Sequence, residues 1–207
     1  MRRVVLAMAA MALALLLASG VAWAVTKVGG PGPDNLTGTN GADNLLGMGG
    51  DDMIFGLRGR DNLLGGSGDD TIIGGKRPAT PLGGGSKNVY GGSGNDFVGG
   101  GNGPDNVIGG DGIDYVADGD VVKDTSEDNV SAGGGNDGVQ VVNVTPTRDI
   151  VSCGGGFDRV AADRKDVIAP DCERVFFGSS PAAAARFFGS FPPSFFETVP
   201  FPGDVGA

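Results

Sequence analysis

The chain has 207 residues, of which 41 are glycine and only 7% aromatic. A core of closely packed large side chains is thereby excluded, and something else must offset the backbone entropy that so much glycine loses on folding. With 15 basic and 25 acidic residues the formal charge is -10, which excludes nucleic acid as a partner and makes cations the natural counterpart.

In chain order the first feature is a targeting segment over residues 1–24. Arg2 and Arg3 precede an apolar run from Val4 to Ala18, and Ala22-Trp23-Ala24 supplies a small-x-small cleavage site. The run is short for a membrane span, so the expectation is a secretory signal cut after Ala24, with no transmembrane anchor remaining and the mature protein extracellular. Removing Arg2 and Arg3 leaves 13 basic against 25 acidic residues, 13 - 25 = -12.

From Gly29 the sequence repeats every nine residues: GGPGPDNLT, GTNGADNLL, GMGGDDMIF, GLRGRDNLL, GGSGDDTII, ending at Ile73. After an interruption, Gly74 to Pro81, four more units follow: LGGGSKNVY, GGSGNDFVG, GGNGPDNVI and GGDGIDYVA, ending at Ala117. Looser units cover Lys123 to Gln140, and VTPTRDIVS and CGGGFDRVA extend the pattern to Ala161. Position four is Gly32, Gly41, Gly50, Gly59, Gly68, Gly94, Gly103 and Gly112 in the well-formed units, and position six is Asp34, Asp43, Asp52, Asp61, Asp70, Asp96, Asp105 and Asp114. Position eight is always Leu, Ile or Val.

These units resemble GGxGxDxUx, the nonapeptide of the repeats-in-toxin (haemolysin-type) calcium-binding family. The resemblance implies an all-β fold, a right-handed parallel β-roll in which two nonapeptides make one turn, with several calcium ions held between turns that stack two units apart. It also implies that the segment from Asp149 to Val175 closes the array, as in secreted actinobacterial relatives, stapled by Cys153 and Cys172. The expected organisation is a calcium-binding roll over 25–117, degenerate repeats and a cap over 118–175, and a tail over 176–207.

The chemistry of each position supports that reading. Glycine at positions one, two and four permits sharp turns through positive φ and gathers carbonyl oxygens. Aspartate at position six adds a carboxylate, and calcium asks for six to eight such oxygens in forgiving geometry. The eight aspartates and eight glycines named above are therefore the candidate metal ligands. Position eight sends one aliphatic side chain inward per unit from a strand as short as Thr71-Ile72-Ile73. Stacking alternate units sets Asp34, Asp52 and Asp70 on one side and Asp43 and Asp61 on the other, at strand spacing, where like charges repel unless a cation intervenes. A plainer role is open: aspartate as a turn former bonding nearby amides. Asparagine or serine would serve that role equally, yet position six is aspartate in twelve of thirteen units.

Lys87 is the exception. If the interruption replaces one unit, Lys87 falls between Asp70 and Asp105, and its ammonium stands in for an ion; the alternative is a solvated surface lysine. The first run, Gly29 to Ile73, is expected to be the best-formed cluster of sites, and the stretch after Asp118 to hold few ions or none. The two cysteines suit an oxidising compartment and pair there, with a two-thiol metal site as the lesser alternative.

The chain contains no histidine, which removes Ser/His/Asp and Cys/His catalysis and the HExxH zinc site. The expectation is a non-enzymatic, secreted calcium-binding protein. Two other readings are a cell-surface or matrix adhesin that uses the roll as a spacer and its Phe/Pro-rich, disordered tail for a surface partner, and a non-catalytic remnant of a larger repeats-in-toxin enzyme or toxin.

Overall fold

The computed structural model describes residues 23–75, 85–118, 125–143 and 145–178. Most of the leader expected over residues 1–24, of the interruption and of the tail expected over 176–207 lies outside these described residues; Phe176 and Phe177, placed in the disordered tail by the sequence, are instead in strand, paired with Ala161 and Ala162. Among the described residues no helix is long and apolar enough to cross a membrane.

Among the described residues sixteen strands follow in chain order: β1 Thr26–Val28, β2 Asn35–Thr37, β3 Asn44–Gly49, β4 Met53–Phe55, β5 Asn62–Ser67, β6 Thr71–Ile73, β7 Asn88–Ser93, β8 Phe97–Gly99, β9 Asn106–Asp111, β10 Tyr115–Ala117, β11 Asn129–Gly134, β12 Gly138–Val141, β13 Ile150–Gly155, β14 Arg159–Ala162, β15 Val167–Ile168 and β16 Arg174–Phe177. The odd-numbered strands form one eight-stranded sheet and the even-numbered strands a second, each in sequence order. Every pairing is parallel, so the chain crosses to the opposite sheet after each strand and two units complete one turn. This is a parallel β-roll, in keeping with the all-β expectation.

The repeat explains the strands. Each begins just after the position-six residue, and the position-eight side chain at its centre points between the sheets. Leu45, Ile54, Leu63, Ile72, Val89, Val98, Val107, Val116, Val139, Val151 and Val160 are all 0% exposed. One aliphatic layer per half-turn makes most of the core among the described residues, and Tyr115, Val142 and Ala161 form a second, small cluster with Phe97 and Phe176 against it. The even strands β2 to β10 stop at three residues, whereas β3, β5, β7 and β9 run on through the first three positions of the next unit, pairing Met48 with Gly66 and Gly49 with Ser67. That pairing satisfies the backbone of a stretch too glycine-rich to be held by side chains. On the outer face of this sheet, Asn62 donates to Asn44 Oδ1 at 2.8 Å and Asn88 to Asn62 Oδ1 at 2.9 Å.

The interruption does not replace a unit. β5 pairs directly with β7, Asn62 against Asn88, and β6 with β8, Thr71 against Phe97. Lys87 consequently stacks between Asp61 and Asp105, not between Asp70 and Asp105. Past Asp118 the looser units carry β11 to β14, which continue both sheets in register, and β15 and β16 end them. Cys153 in β13 is disulfide-bonded to Cys172, between β15 and β16, with Cα atoms 5.1 Å apart.

Candidate metal centre

The position-six residues stand where the chain enters each sheet, and they form two ladders. On the side leading into the even strands, the N–H of Asp34 donates to Asp52 Oδ1 at 2.8 Å, that of Asp52 to Asp70 Oδ1 at 2.8 Å, that of Asp70 to Asp96 Oδ1 at 2.8 Å and that of Asp96 to Asp114 Oδ1 at 2.8 Å. The series continues through Asp137 and Asp158 to Glu173. On the other side the N–H of Val25 donates to Asp43 Oδ1 at 2.7 Å and that of Asp43 to Asp61 Oδ1 at 3.0 Å. Beyond Lys87, whose N–H donates to Asp105 Oδ1 at 2.8 Å, this ladder runs through Asp128 and Asp149 to Asp166. The stacking of alternate units read from the sequence is thus the observed arrangement.

Beyond Asp34, which heads its ladder, one oxygen of each ladder aspartate is spent on this bond, so the turn-former role is real but acts one full turn away. The second oxygen differs along the ladder. In the first two units it is taken by nearby amides: Gly30 N–H donates to Asp34 Oδ2 and Thr39 N–H to Asp43 Oδ2, each at 2.5 Å. In Asp52, Asp61, Asp70, Asp96, Asp114, Asp137 and Asp158 the Oδ2 atom is buried and has no hydrogen-bond partner.

What surrounds these oxygens is more oxygen. A Cβ on Gly47, the position-one glycine of its unit, would collide with both Asp52 Oδ2 and the carbonyl of Gly65 in the next turn. The same pair of acceptors recurs beside Gly65 with Asp70 and Gly91, beside Gly91 with Asp96 and Gly109, and beside Gly56 with Asp61 and Gly74. In these units position-one glycine leaves the space, while position four is required for conformation: φ is 93° at Gly50, 122° at Gly59 and Gly68, 132° at Gly94, 109° at Gly103 and 137° at Gly112. Gly32 and Gly41, in the first two units, are not in this positive-φ set.

Burial is the main cause pushing the carboxyls up, to about 6 at Asp61, Asp70 and Asp137 and to about 7 at Asp96 and Asp114. The amide from the preceding turn opposes the shift, and the neighbouring aspartates add to it. Asp52 and Asp158 are raised for the same first reason. At Asp61 the Lys87 charge works the other way. Lys87 is 1% exposed, which removes the reading of a solvated surface lysine. Its ammonium donates to the Gly85 carbonyl at 3.1 Å, and its stem fills the space beside Gly74 that an aspartate Oδ2 fills beside the equivalent glycines.

Buried carboxylate oxygens facing carbonyl oxygens, with no donor between them, suit a hard divalent cation, and a mixed carboxylate and carbonyl set is the chemistry of calcium. Sequence reasoning limited the candidates to the units before Asp118; Asp137 and Asp158 carry the same unpartnered oxygen, and their position in the period was the available signal. It also missed an exposed ladder at position five, where Asp69 N–H donates to Asp51 Oδ1 at 3.0 Å and Asn95 N–H to Asp69 Oδ1 at 2.7 Å.

The model of the RTX calcium-binding nonapeptide repeat (4 copies) matches residues 28–63, 55–76 and 83–116. No individual curated protein matches the chain. The period, the paired ladders and this match agree: RTX calcium-binding nonapeptide repeats lie within residues 28–116.

Proposed function

We propose that the chain is a secreted protein, released by cleavage after Ala24, whose repeats bind several calcium ions and fold as they bind. The observation that carries this reading is the row of buried, unpartnered Oδ2 atoms, with Asp52, Asp61, Asp70, Asp96 and Asp114 as the ligand carboxylates and the position-one carbonyls beside them. Bound calcium supplies positive charge between successive turns. The chain's own residues do the rest: the amide ladder fixes Oδ1 and so aims Oδ2, position-one glycine keeps the corner open, and the single aliphatic layer sets the spacing of the turns.

Without the ion the balance is poor. One buried aliphatic side chain per nine residues contributes about 1.5 to 3 kcal/mol, against about 1 to 2 kcal/mol of backbone entropy for each residue ordered. Because the site exists only in the folded chain, binding is coupled to folding, and each filled site stabilises the fold by about 2.7 kcal/mol at a hundredfold excess over its dissociation constant. An acidic chain would then stay open in a low-calcium cytoplasm and order outside it. The reading assigns no catalytic step.

Circular dichroism of the purified full chain, titrated with calcium from a chelated start, tests it. We expect strand signal and melting temperature to rise together with calcium. A chelated sample as ordered and heat-resistant as the replete one would overturn the reading, and N-terminal sequencing of protein recovered from the medium tests the cleavage after Ala24.

A further inference from the structure

Gly38, Gly56, Gly74 and Gly100 each follow a strand of the second sheet, after β2, β4, β6 and β8; after β10 the residue at that place is Asp118. Replacing glycine there brings a third carboxylate to a corner that already holds two ladder members. Asp118 is 0% exposed, Asp128 1% and Asp149 0%, and one carboxylate oxygen from each lies within 4.8 Å of the others.

A fourth side chain enters the same corner. Asn143 is 1% exposed, and its Nδ2 lies 2.9 Å from Asp118 Oδ2, 2.9 Å from Thr147 Oγ1 and 3.2 Å from Asp149 Oδ2. Three oxygens converge on a nitrogen that has two protons to give. The oxygen of the same amide, Oδ1, is buried with no hydrogen-bond partner, so the group meets too many acceptors at one end and no donor at the other. The two ends of a carboxamide have nearly the same shape. Turning it over would bring Oδ1 to the convergence point, an arrangement that repels unless a cation stands among the oxygens.

We propose that Asp118, Asp128 and Asp149, with Asn143 and Thr147, form a separate calcium site, built from side chains where the glycine-rich pattern has lapsed. All five contribute oxygen and none contributes nitrogen or sulfur, which selects a hard cation, and a set of mixed, partly neutral oxygens selects calcium over magnesium. The site rests on the calcium reading of the repeats, but it uses a residue, Asp118, that lies outside the matched segments.

Counting bound calcium on the full chain by calorimetry and native mass spectrometry tests it, with Asp118→Asn and Thr147→Val compared to the parent. Thr147→Val removes one oxygen and no charge, and the residue is only partly buried, so the fold is retained. We expect Asp118→Asn to lose one ion while the remaining ions and the calcium-dependent circular dichroism stay, and Thr147→Val to weaken one ion of the set. An unchanged count and unchanged affinities in both variants overturn this site alone. A parent chain that binds no calcium overturns both the site and the reading beneath it.

Discussion

An aspartate at position six has two oxygens with different work. Oδ1 accepts the N–H of the equivalent residue one turn earlier, a task asparagine would perform as well, and Oδ2 is aimed at a carbonyl, where an asparagine amide would donate. Keeping a carboxylate at that place is unfavourable in the absence of a cation, which is why the choice of acid over amide is informative. Lys87 inverts the arrangement: a buried cation occupies the level between Asp61 and Asp105. Lys87→Asp should therefore restore an acidic level and add to the ion count measured by calorimetry; an unchanged count would show that this corner holds no ion whatever its side chain. The aspartate pairs were legible from spacing alone. The level of Lys87 was not, because a gap of eight residues does not say whether it contributes a half-turn. A signal was nevertheless present in position seven, where Asn44, Asn62, Asn88, Asn106 and Asn129 alternate with Met53, Thr71, Phe97 and Tyr115. That alternation assigns Asn88, and so Lys87, to the row of Asn62.

A strand of three residues with one buried side chain cannot persist alone, and each strand here owes its stability to the turns on either side. The last turn has only one neighbour. There β15 is two residues long, and Cys153 and Cys172 join β13 to the chain that leads into β16. Closing a loop of this sequence separation, 19 residues, removes unfolded-state entropy worth about 3 kcal/mol. Replacing both cysteines by serine should lower the calcium-saturated melting temperature and release β15 and β16 first, as early loss of amide protection there by hydrogen exchange. Equal melting temperatures and equal protection would show that strand pairing suffices for the end turn. The pairing of these cysteines was legible from their number and from the oxidising compartment that the leader led us to expect. The strands around them were less so, because beyond Ala161 the period fails and Asp166 and Glu173 complete the ladders from irregular positions.

Across the whole molecule the raised carboxyls act together. Their protonated form is favoured in the folded state, so the metal-free fold binds more protons than the unfolded chain between the ordinary aspartate range and about 6 to 7. That contribution is fully present below pH 4, by the unperturbed aspartate value, and is lost as pH rises through 6 to 7. A chelated sample should accordingly be more ordered at pH 5 than at pH 8, and calcium should reverse the order by displacing protons as it binds. A chelated chain whose melting temperature rises between pH 5 and pH 8 would contradict the burial of these groups. The roll as a whole was legible because one period specifies turn, ladder and core at once; its continuation past Asp118 was legible as looser units to Ala161, though the thinning glycine led to an expectation of few ions there when the ladder needs only the acid and the aliphatic. The head of one ladder leads further. The amide that caps Asp43 belongs to Val25, the residue next after Ala24. Proteolytic maturation at that bond would turn the amide into a primary ammonium group resting on the same carboxylate, a charge-assisted contact stronger than the one it replaces. Severing the leader would in that case seed the first coil of the mature protein, so that release from the precursor and the onset of assembly become one event.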